Sequence, residues 1–427
     1  MSEKTQKITT ISITENGEAP ALPFKLKLVN RVNILKCFRD GEGHTVSEVS
    51  GITGISKITT MRAVHFFCEK GVLVSQGKVY QNNTGGKYPE IFRLNITKKI
   101  LSITLWSQVV CFTLMDFSGN VIKRFEYHDI DTHKVSVCEI EAYVLEKVVL
   151  LLEEAKIDKN EVYGIAVSTS GIVDYENQKI KYNAQAPEWG NNIFILDPLK
   201  RFFGEDTYFF LENGCKTMAR SLLGRPKVGN KRVLLIATTW GIAGCLIQGG
   251  RILNGKNSLI GEIGHMILDA NDEDKCNCGS YGCLERMVDI ERIRRSLKNR
   301  RIPDNSPLNA IPYDDVTLLN LFDLANDGDI VAREYVAGLA DCFAITLRNI
   351  SLVFDPELVF LAGDFAYAGA YFNECLQKKL REFRYYASDQ LFEVIYEKNS
   401  LLTMDYTGAV VAVTDHFFKN PELYEGE

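Results

Sequence analysis

Residues 261–265 read Gly-Glu-Ile-Gly-His, and after an interval of ten residues positions 276–285 read Cys-Asn-Cys-Gly-Ser-Tyr-Gly-Cys-Leu-Glu. One imidazole and three thiolates are four ligands of the kind that hold zinc in closed tetrahedral sites. Glycines within the loop allow it to fold tightly enough to bring the thiolates together. Three incidental loop cysteines near one histidine are the alternative. The spacing favours a structural zinc site, without an open position for water, formed by His265, Cys276, Cys278 and Cys283.

Strand and helix patterns alternate on both sides of this loop, from Lys99 onward. The predicted strands are short and rich in β-branched and other apolar residues, which is typical of buried sheets. We therefore expect an α/β body. The predicted elements are strands over Ile100–Leu105, Val109–Met115, Val121–Tyr127, Val162–Val167, Val233–Thr239, Gly244–Ile247 and Leu358–Ala362, and a helix over Glu139–Ala155.

Residues 21–95 have a different pattern, which indicates three short helices. Apolar residues recur at helical spacing between Leu26 and Phe38. Thr45 and Glu48 form a capping-box pattern for a second helix, and Gly54 then marks a turn. Ser56 is a suitable N-cap for a third helix. Two short helices joined by a glycine-containing turn are typical of a helix-turn-helix.

Short strand patterns follow the third helix, and a basic, glycine-rich tip at 85–89 separates the last two of them. The strands are predicted over Val72–Val74, Lys78–Tyr80 and Ile91–Leu94. This order predicts a winged helix-turn-helix DNA-binding domain, in which the third helix enters the major groove. A helical protein-interaction module is the alternative. The expected DNA contacts are Ser56, Lys57, Thr59, Thr60, Arg62 and, on the wing, Lys87.

The distribution of charge agrees with this division. The chain has 427 residues and a formal net charge of −6. Residues 21–95 contain eleven basic and five acidic side chains, whereas residues 96–427 carry a net charge of −11. A basic module on an acidic body indicates a polyanion-binding head. The first twenty residues are polar and contain no signal-peptide core, so we expect a flexible tail and a cytoplasmic protein without membrane association.

The motifs at 261–265 and 276–285, together with the preceding head, resemble the repressor branch of the ROK family (repressors, open reading frames, kinases). The tip at 85–89 and Phe92–Asn95 also resemble the wing and linker of that branch. This resemblance implies an actin-like ATPase body of two α/β lobes at 96–427 that binds a sugar in its cleft. It also implies operator DNA as a partner, a sugar or sugar derivative as the effector, and a homodimer or homotetramer.

The resemblance further implies that kinase chemistry is lost. The sugar kinases of the family have an Asn-Asp pair that supplies a hydroxyl-binding amide and the catalytic base. Here the matching residues are Asn213 and Gly214, and glycine cannot accept a proton. The family's two phosphate-binding loops match Ile103–Ser107 and Thr238–Gly244, which lack much of the required glycine and carboxylate pattern. We therefore expect no catalytic residues and no kinase activity.

The sugar side of the family's site matches better. Carboxylates and amides suit a polyol because each can exchange hydrogen bonds with neighbouring hydroxyl groups. Asn183 or Gln185 could also line the pocket, and their spacing does not choose between them. If His265 binds zinc through one ring nitrogen, the other nitrogen can contact a sugar hydroxyl. The matching sugar-binding positions are Gly171, Asn213, Glu262, His265 and Glu285.

Taken together, these patterns predict a sugar-responsive DNA-binding transcriptional regulator, most simply a repressor, with a degenerate sugar-kinase-like effector domain. Two alternatives remain open. The chain could be an ATP-dependent sugar kinase with a DNA-binding head, in which Asp174 or Asp364 replaces the missing base. It could also be a dimeric DNA-binding protein whose cleft no longer binds a ligand.

Overall fold

The computed structural model describes residues 23–39, 41–78, 89–238, 241–382 and 392–425. The chain divides into two compact units. Unit 1 contains the residues up to Ile96 together with the C-terminal segment from Phe417, and unit 2 contains Thr97–His416. Among the described residues, no helix is long and apolar enough to cross a bilayer.

Unit 1 combines helices with a small antiparallel sheet. Strand β3 lies in the centre of this sheet and pairs with β1 on one side and with β2 on the other. The elements are α1 (Pro23–Lys36), β1 (His44–Thr45), α2 (Val46–Thr53), α3 (Lys57–Glu69), β2 (Leu73–Lys78) and β3 (Glu90–Leu94).

The predicted helix boundaries of unit 1 follow from local capping interactions. Thr45 and Glu48 form the capping box of α2, with each side chain accepting the other residue's backbone N–H. Gly54 ends α2 in the left-handed conformation, with φ of 69°. The Ser56 hydroxyl accepts the Thr59 N–H and begins α3. These parts of the sequence prediction are confirmed.

The strands of unit 1 differ in part from the sequence prediction. Residues 73–78 form one strand, β2, where the sequence predicted two short strands that begin at Val72 and Lys78. The pairing of β2 with β3 has a register irregularity between Ser75 and Lys78. The two predicted strands therefore form one strand that continues through this irregularity. Residues 79–88, and with them most of the predicted wing, lie outside the described residues.

The C-terminal segment belongs to unit 1, although the sequence placed all of 96–427 in the body. The Phe418 and Tyr424 side chains are only 3% and 4% exposed. Tyr424 packs edge-on against Phe67 of α3, and its carbonyl accepts a hydrogen bond of 2.7 Å from Arg31 of α1. The Arg39 guanidinium lies over the Phe418 ring. This non-local packing explains why the domain boundary departs from the sequence order.

Among the described residues, the first sheet of unit 2 has five strands in the order β10-β7-β4-β5-β6. Strands β10, β7 and β4 run parallel, while β5 and β6 continue the sheet antiparallel. The strands are β4 (Lys99–Trp106), β5 (Val109–Asp116), β6 (Val121–Tyr127), β7 (Val162–Thr169) and β10 (Tyr208–Asn213), and the hairpin β8 (Ile172–Asp174) with β9 (Lys179–Tyr182) follows β7. The neighbouring helices are α4 (Val137–Ala155), α5 (Asp197–Phe203) and α6 (Gly214–Arg220).

Among the described residues, the second sheet has five strands in the order β13-β12-β11-β14-β15. Strands β11, β14 and β15 are parallel. Its strands are β11 (Val233–Thr238), β12 (Ile242–Gln248), β13 (Arg251–Ile252), β14 (Leu358–Gly363) and β15 (Glu393–Glu397). The helices in this part are α7 (Leu284–Met287), α8 (Ile290–Lys298), α9 (Leu318–Asp327), α10 (Ile330–Ser351), α11 (Gly369–Glu382) and α12 (Leu401–Lys419).

Buried apolar residues connect the two sheets into one body. One cluster covers the first sheet with α4 and α5, and another covers the second sheet with α9, α10 and α11. A third cluster includes Trp106 of β4, Met218 of α6, Leu235 of β11 and Met404 of α12. The near-continuous burial of β4, β5 and β11 agrees with the predicted α/β architecture.

Candidate functional site

The structure brings His265, Cys276, Cys278 and Cys283 together, as the sequence predicted. Their potential ligand atoms all lie within 4.8 Å of one another. The Sγ atom of Cys276 is 3.6 Å from Nδ1 of His265, and the Sγ atoms of Cys278 and Cys283 are 3.6 Å apart. Tetrahedral zinc with metal–ligand distances of about 2.0–2.3 Å separates its ligands by about 3.5–3.8 Å. The donor set and its spacing therefore fit a zinc ion.

Glycines and backbone hydrogen bonds fold the loop that carries the thiolates. The Cys276 N–H donates to the Ser280 carbonyl at 2.8 Å, which closes a tight turn through Gly279. Gly282 has φ of 66°, and a Cβ atom there would overlap the backbone carbonyl of Asp269. No other residue fits this position, because it requires both a left-handed backbone and a close backbone approach.

A cavity of about 510 Å³ adjoins this cluster within unit 2. Its volume lies in the range of small-molecule sites. All of the sugar-binding residues that the sequence predicted line this cavity, namely Gly171, Asn213, Glu262, His265 and Glu285. The burial of Glu262 raises the pKa of its carboxyl group.

Three of these residues are fixed by specific contacts. Asn213 ends β10, and its side chain accepts the Cys215 N–H at 2.9 Å and donates to the Gly171 carbonyl at 3.0 Å. Gly171 has φ of 88°, and a Cβ atom there would lie 2.7 Å from the Tyr182 carbonyl oxygen. The Glu285 carboxylate accepts the Ile242 N–H at 2.8 Å. The cavity wall is therefore ordered by its own hydrogen bonds.

An indole occupies the space that a side chain at position 214 would enter. Nε1 of Trp106 lies 2.8 Å from the Cβ position of residue 214, and the Ser168 hydroxyl oxygen lies 3.4 Å from the same point. Trp106 is the last residue of β4. It lies in the segment that matches the first phosphate-binding loop of the family's kinases. Its side chain is 9% exposed and lines the cavity. The space beside Asn213 is thus filled by a ring without a proton-accepting group.

His133 also lines the cavity, although no sequence pattern predicted it. Its Nε2 atom is 2.8 Å from the Ser170 hydroxyl oxygen. The loop before α4 is held against the end of β4, because Thr132 bonds to the Ser107 and Trp106 carbonyls and Asp131 accepts the Ser107 hydroxyl at 2.9 Å. No local motif surrounds His133, and its partner is 37 positions away. Only the three-dimensional packing reveals it.

Asn183 and Gln185, the two alternatives for a pocket-lining amide, both line the cavity. Asn183 is 1% exposed and donates to the Ser170 hydroxyl at 3.0 Å, and its side-chain oxygen accepts the Gln185 N–H. The two possible replacement bases do not line this cavity. Asp174 accepts hydrogen bonds from Asn177 in the hairpin, and Asp364 lines other pockets.

In unit 1, helix α3 carries most of the predicted DNA contacts. Ser56, Lys57 and Arg62 are exposed, and Thr59 is half-buried at the N-terminal end of the helix. The prediction that Thr60 contacts DNA is wrong. Thr60 is 0% exposed, and its hydroxyl donates to the Ile55 carbonyl. Lys87 lies outside the described residues.

The sequence contained a signal for the burial of Thr60. Thr60, Val64 and Phe67 are spaced by four and three positions, and all three are 0% exposed. This is the spacing of one helix face, so Thr60 lies on the apolar side of α3. The exposed face of the helix carries Lys57, Met61 and other side chains that are free of the core.

Comparisons with known proteins show what this chain is similar to. The model of the ROK family matches residues 109–403. The xylose repressor of Caldicellulosiruptor bescii is 23% identical over 363 residues, covering 84% of this chain and 87% of the repressor. The glucokinase of Thermotoga maritima is 24% identical over 290 residues, covering 67% of this chain and 88% of the kinase.

A solved structure covers both units. The crystal structure of a ROK family transcriptional regulator, a homologue of the Escherichia coli Mlc protein, matches with a TM-score of 0.74 at 19% identity. The match covers 94% of this chain and 100% of that chain. At this identity the likeness shows the fold: an α/β body of the ROK sugar-kinase type that follows an N-terminal head. Because the family model matches more than half of the chain, this protein belongs to the ROK family.

Proposed function

We propose that this protein is a sugar-responsive, DNA-binding transcriptional repressor whose effector unit has the fold of a sugar kinase without its chemistry. One observation carries the proposal. Polar residues suited to a polyol converge on one cavity, while the position of the catalytic base is Gly214 and the space above it holds Trp106. The cavity is therefore equipped to bind a sugar, but it has no base at the position where the family's sugar kinases carry theirs.

Unit 1 supports the DNA-binding part of the proposal. We assign it as a winged helix-turn-helix, with α2 and α3 as the paired helices and β2 and β3 as the strands that flank the wing. Lys57 and Arg62 are exposed on α3, where major-groove or phosphate contacts are made in this class. The net positive charge of residues 21–95 favours a polyanion.

The effector site combines an amide, two carboxylates and an imidazole. Asn213 can donate to a hydroxyl, while Glu262 and Glu285 can accept hydrogen bonds from adjacent hydroxyls. Because Nδ1 of His265 is the atom that faces Cys276, its Nε2 atom is the one available to a ligand. The cluster of His265 with the cysteines would hold a structural zinc ion, whose role is to fix the loop and the orientation of this imidazole.

Three features of unit 2 argue against phosphoryl transfer. Gly214 has no side chain to act as a base, and Trp106 excludes a replacement from the same space. The Ile242 N–H lies in the segment that corresponds to the second phosphate loop, and it is already bonded to Glu285. Asp174 and Asp364, the possible substitutes, do not line the cavity. The similarity to a glucokinase therefore reflects the shared fold.

We propose that the regulator acts in the cytoplasm as a homodimer or homotetramer and binds a two-fold operator. The similarity to a xylose repressor supports a carbohydrate effector. The effector controls DNA binding only if it binds one arrangement of the protein better than the other.

The test begins with selection of a specific DNA site from random duplexes by the purified full-length protein. Fluorescence anisotropy then measures the affinity for that site with and without glucose, mannose, xylose and N-acetylglucosamine. We expect at least one sugar to change the DNA affinity fivefold or more.

Asn213→Ala should abolish the sugar response but retain DNA binding, whereas Arg62→Ala should weaken DNA binding but retain sugar binding. Sugar-dependent ATP turnover, or the absence of any selected site, would contradict the proposal.

A further inference from the structure

We infer that the effector is an electrically neutral carbohydrate rather than a sugar phosphate, and that Ser170, oriented by His133, binds one of its hydroxyl groups. This inference rests on the proposed function and adds to it the chemical class of the ligand. Three observations support it: the charges around the cavity, the state of its backbone donors, and the hydrogen-bonding arrangement at one edge.

The charged side chains that line the cavity are acidic. Glu262 and Glu285 contribute two carboxyl groups, and among the described lining residues there is no lysine or arginine. The nearby Lys216 is 5% exposed, and its ammonium group donates to the Asn254 side chain at 3.0 Å. A phosphate dianion in this cavity would have no cationic partner in its wall and would be repelled by two carboxylates.

Backbone N–H groups could bind a phosphate in the absence of basic side chains, but two N–H groups of the cavity lining already have side-chain partners. The Cys215 N–H at the start of α6 donates to the Asn213 side chain at 2.9 Å. The Ile242 N–H at the start of β12 donates to the Glu285 carboxylate at 2.8 Å. A phosphate bound at either of these N–H groups would have to displace a side-chain oxygen, which a neutral ligand does not require.

The opposite edge of the cavity offers directional but uncharged groups. The Asn183 amide donates to the Ser170 oxygen at 3.0 Å, so the serine's own hydrogen is available to His133 Nε2, 2.8 Å away. In this arrangement the imidazole is neutral and accepts. The burial of His133 lowers the pKa of its ring, which favours the same neutral form. Ser170 retains a lone pair that can accept a hydrogen bond from a ligand hydroxyl.

His133 is held in place by contacts outside the cavity. Its ring meets the Trp189 ring edge-on, with centroids 6.4 Å apart. The Trp189 indole in turn donates to the Val135 carbonyl at 3.1 Å, and the His133 N–H donates to Asp131. The imidazole is thus fixed before any ligand arrives, as expected for a residue that selects a ligand.

Matched ligand pairs test the neutral-ligand part of the inference. Isothermal titration calorimetry of the full-length protein is carried out with glucose, mannose, xylose and N-acetylglucosamine, each beside its phosphate ester. We expect at least one neutral sugar to bind, and its ester to bind at least 100-fold more weakly. An ester that binds as tightly as its parent sugar, or more tightly, overturns the inference. If that ester also changes DNA affinity, the proposed function stands. Binding of neither form overturns both.

Two histidine variants test the role of His133. His133→Ala should weaken binding of the neutral sugar about tenfold or more, since the Ser170 hydroxyl loses the partner that orients it. His128→Ala is the matched control, because His128 is exposed and does not line this cavity. His133→Gln, which retains a hydrogen-bonding side chain, should recover part of the lost affinity. Equal affinities for the wild type and His133→Ala, with unchanged circular dichroism, overturn the assignment.

Discussion

The indole nitrogen of Trp106 lies 2.8 Å from the point at which a side chain would begin at Gly214. These residues come from the end of β4 and the start of α6, and they are far apart in the sequence. Under the proposed function, this contact explains how the cavity can keep Asn213 without a base beside it. Because Trp106 fills the space beside position 214, a larger side chain there would overlap the indole. A single substitution of Gly214 therefore does not restore a base.

The first prediction concerns this contact. Gly214→Ala should lower the free energy of unfolding by about 1–3 kcal/mol, because the new methyl group overlaps the Trp106 ring in a packed core. Gly338→Ala is the control, since Gly338 lies in α10 with open space around its Cβ position. It should raise the stability by about 0.5–1 kcal/mol. Urea unfolding monitored by circular dichroism measures both changes, and equal effects of the two would refute the packing argument.

The second prediction concerns the metal cluster. Cys276→Ser and Cys283→Ser should each release zinc and lower the free energy of unfolding by on the order of 5 kcal/mol, because metal binding contributes to folding. Cys138→Ser is the control, as Cys138 is an exposed cysteine outside the cluster. Metal content measured by mass spectrometry should fall from one zinc per chain to none in the first two variants. The same melting temperature with and without a strong chelator would rule out a structural metal.

The third prediction separates exposed from buried positions of α3. Lys57→Ala and Arg62→Ala should weaken DNA binding about 5- to 100-fold and reduce the salt dependence of binding by about one ion per lost phosphate contact. Thr60→Val should leave DNA affinity unchanged and cost about 1 kcal/mol of stability, because the buried hydroxyl loses its contact with the Ile55 carbonyl. Arg301→Ala, on an exposed part of unit 2, serves as a basic control. A large effect of Thr60→Val on DNA affinity alone would contradict the orientation of the helix.

The fourth prediction concerns Asp405 of α12, which is 0% exposed and accepts the Thr104 and Ser168 hydroxyls at 2.6 Å each. Burial raises the pKa of this carboxyl group to about 7. The folded state therefore favours the neutral acid. As pH rises from about 4 to about 7, the unfolded chain loses its proton while the folded protein keeps it, so stability falls; above pH 7 this contribution stays constant.

Asp405→Asn removes this titration, because the amide is neutral and can still bond to both hydroxyls. The stability of the variant relative to the wild type should increase from pH 4 to pH 7 and then level off. Urea unfolding at unit steps of pH measures the difference, with Asp304→Asn at an exposed position as the control. A difference that is independent of pH would show that Asp405 is charged in the folded protein.

The features that the sequence predicted well are those set by local spacing. The capping box of Thr45 and Glu48 depends on residues within one helical turn, and the thiolates of the metal cluster lie within one short loop. The buried strands of the body are also recognisable, because apolar residues must fill a strand that is covered on both faces. The match to the ROK family motifs also predicts that the cavity residues lie together, as they do in the structure.

The features that the sequence did not predict depend on contacts between distant segments. His133 reaches Ser170 only because the loop before α4 is held by Ser107. The C-terminal segment joins unit 1 through the burial of Tyr424 against Phe67, which no local pattern indicates. Thr60 is different: the predicted DNA contact there is wrong, although its spacing from Val64 and Phe67 is that of the buried face of α3.

The reciprocal effect of DNA and sugar on each other tests the central claim most directly. Isothermal titration calorimetry measures the affinity of the effective sugar for the free protein and for the protein saturated with its selected DNA site, at equal salt and without nucleotide. Because coupling is reciprocal, the two affinities should differ by the same factor, at least fivefold, by which the sugar changes DNA affinity. Equal sugar affinities in the two states would show that occupancy of the cavity does not control the head.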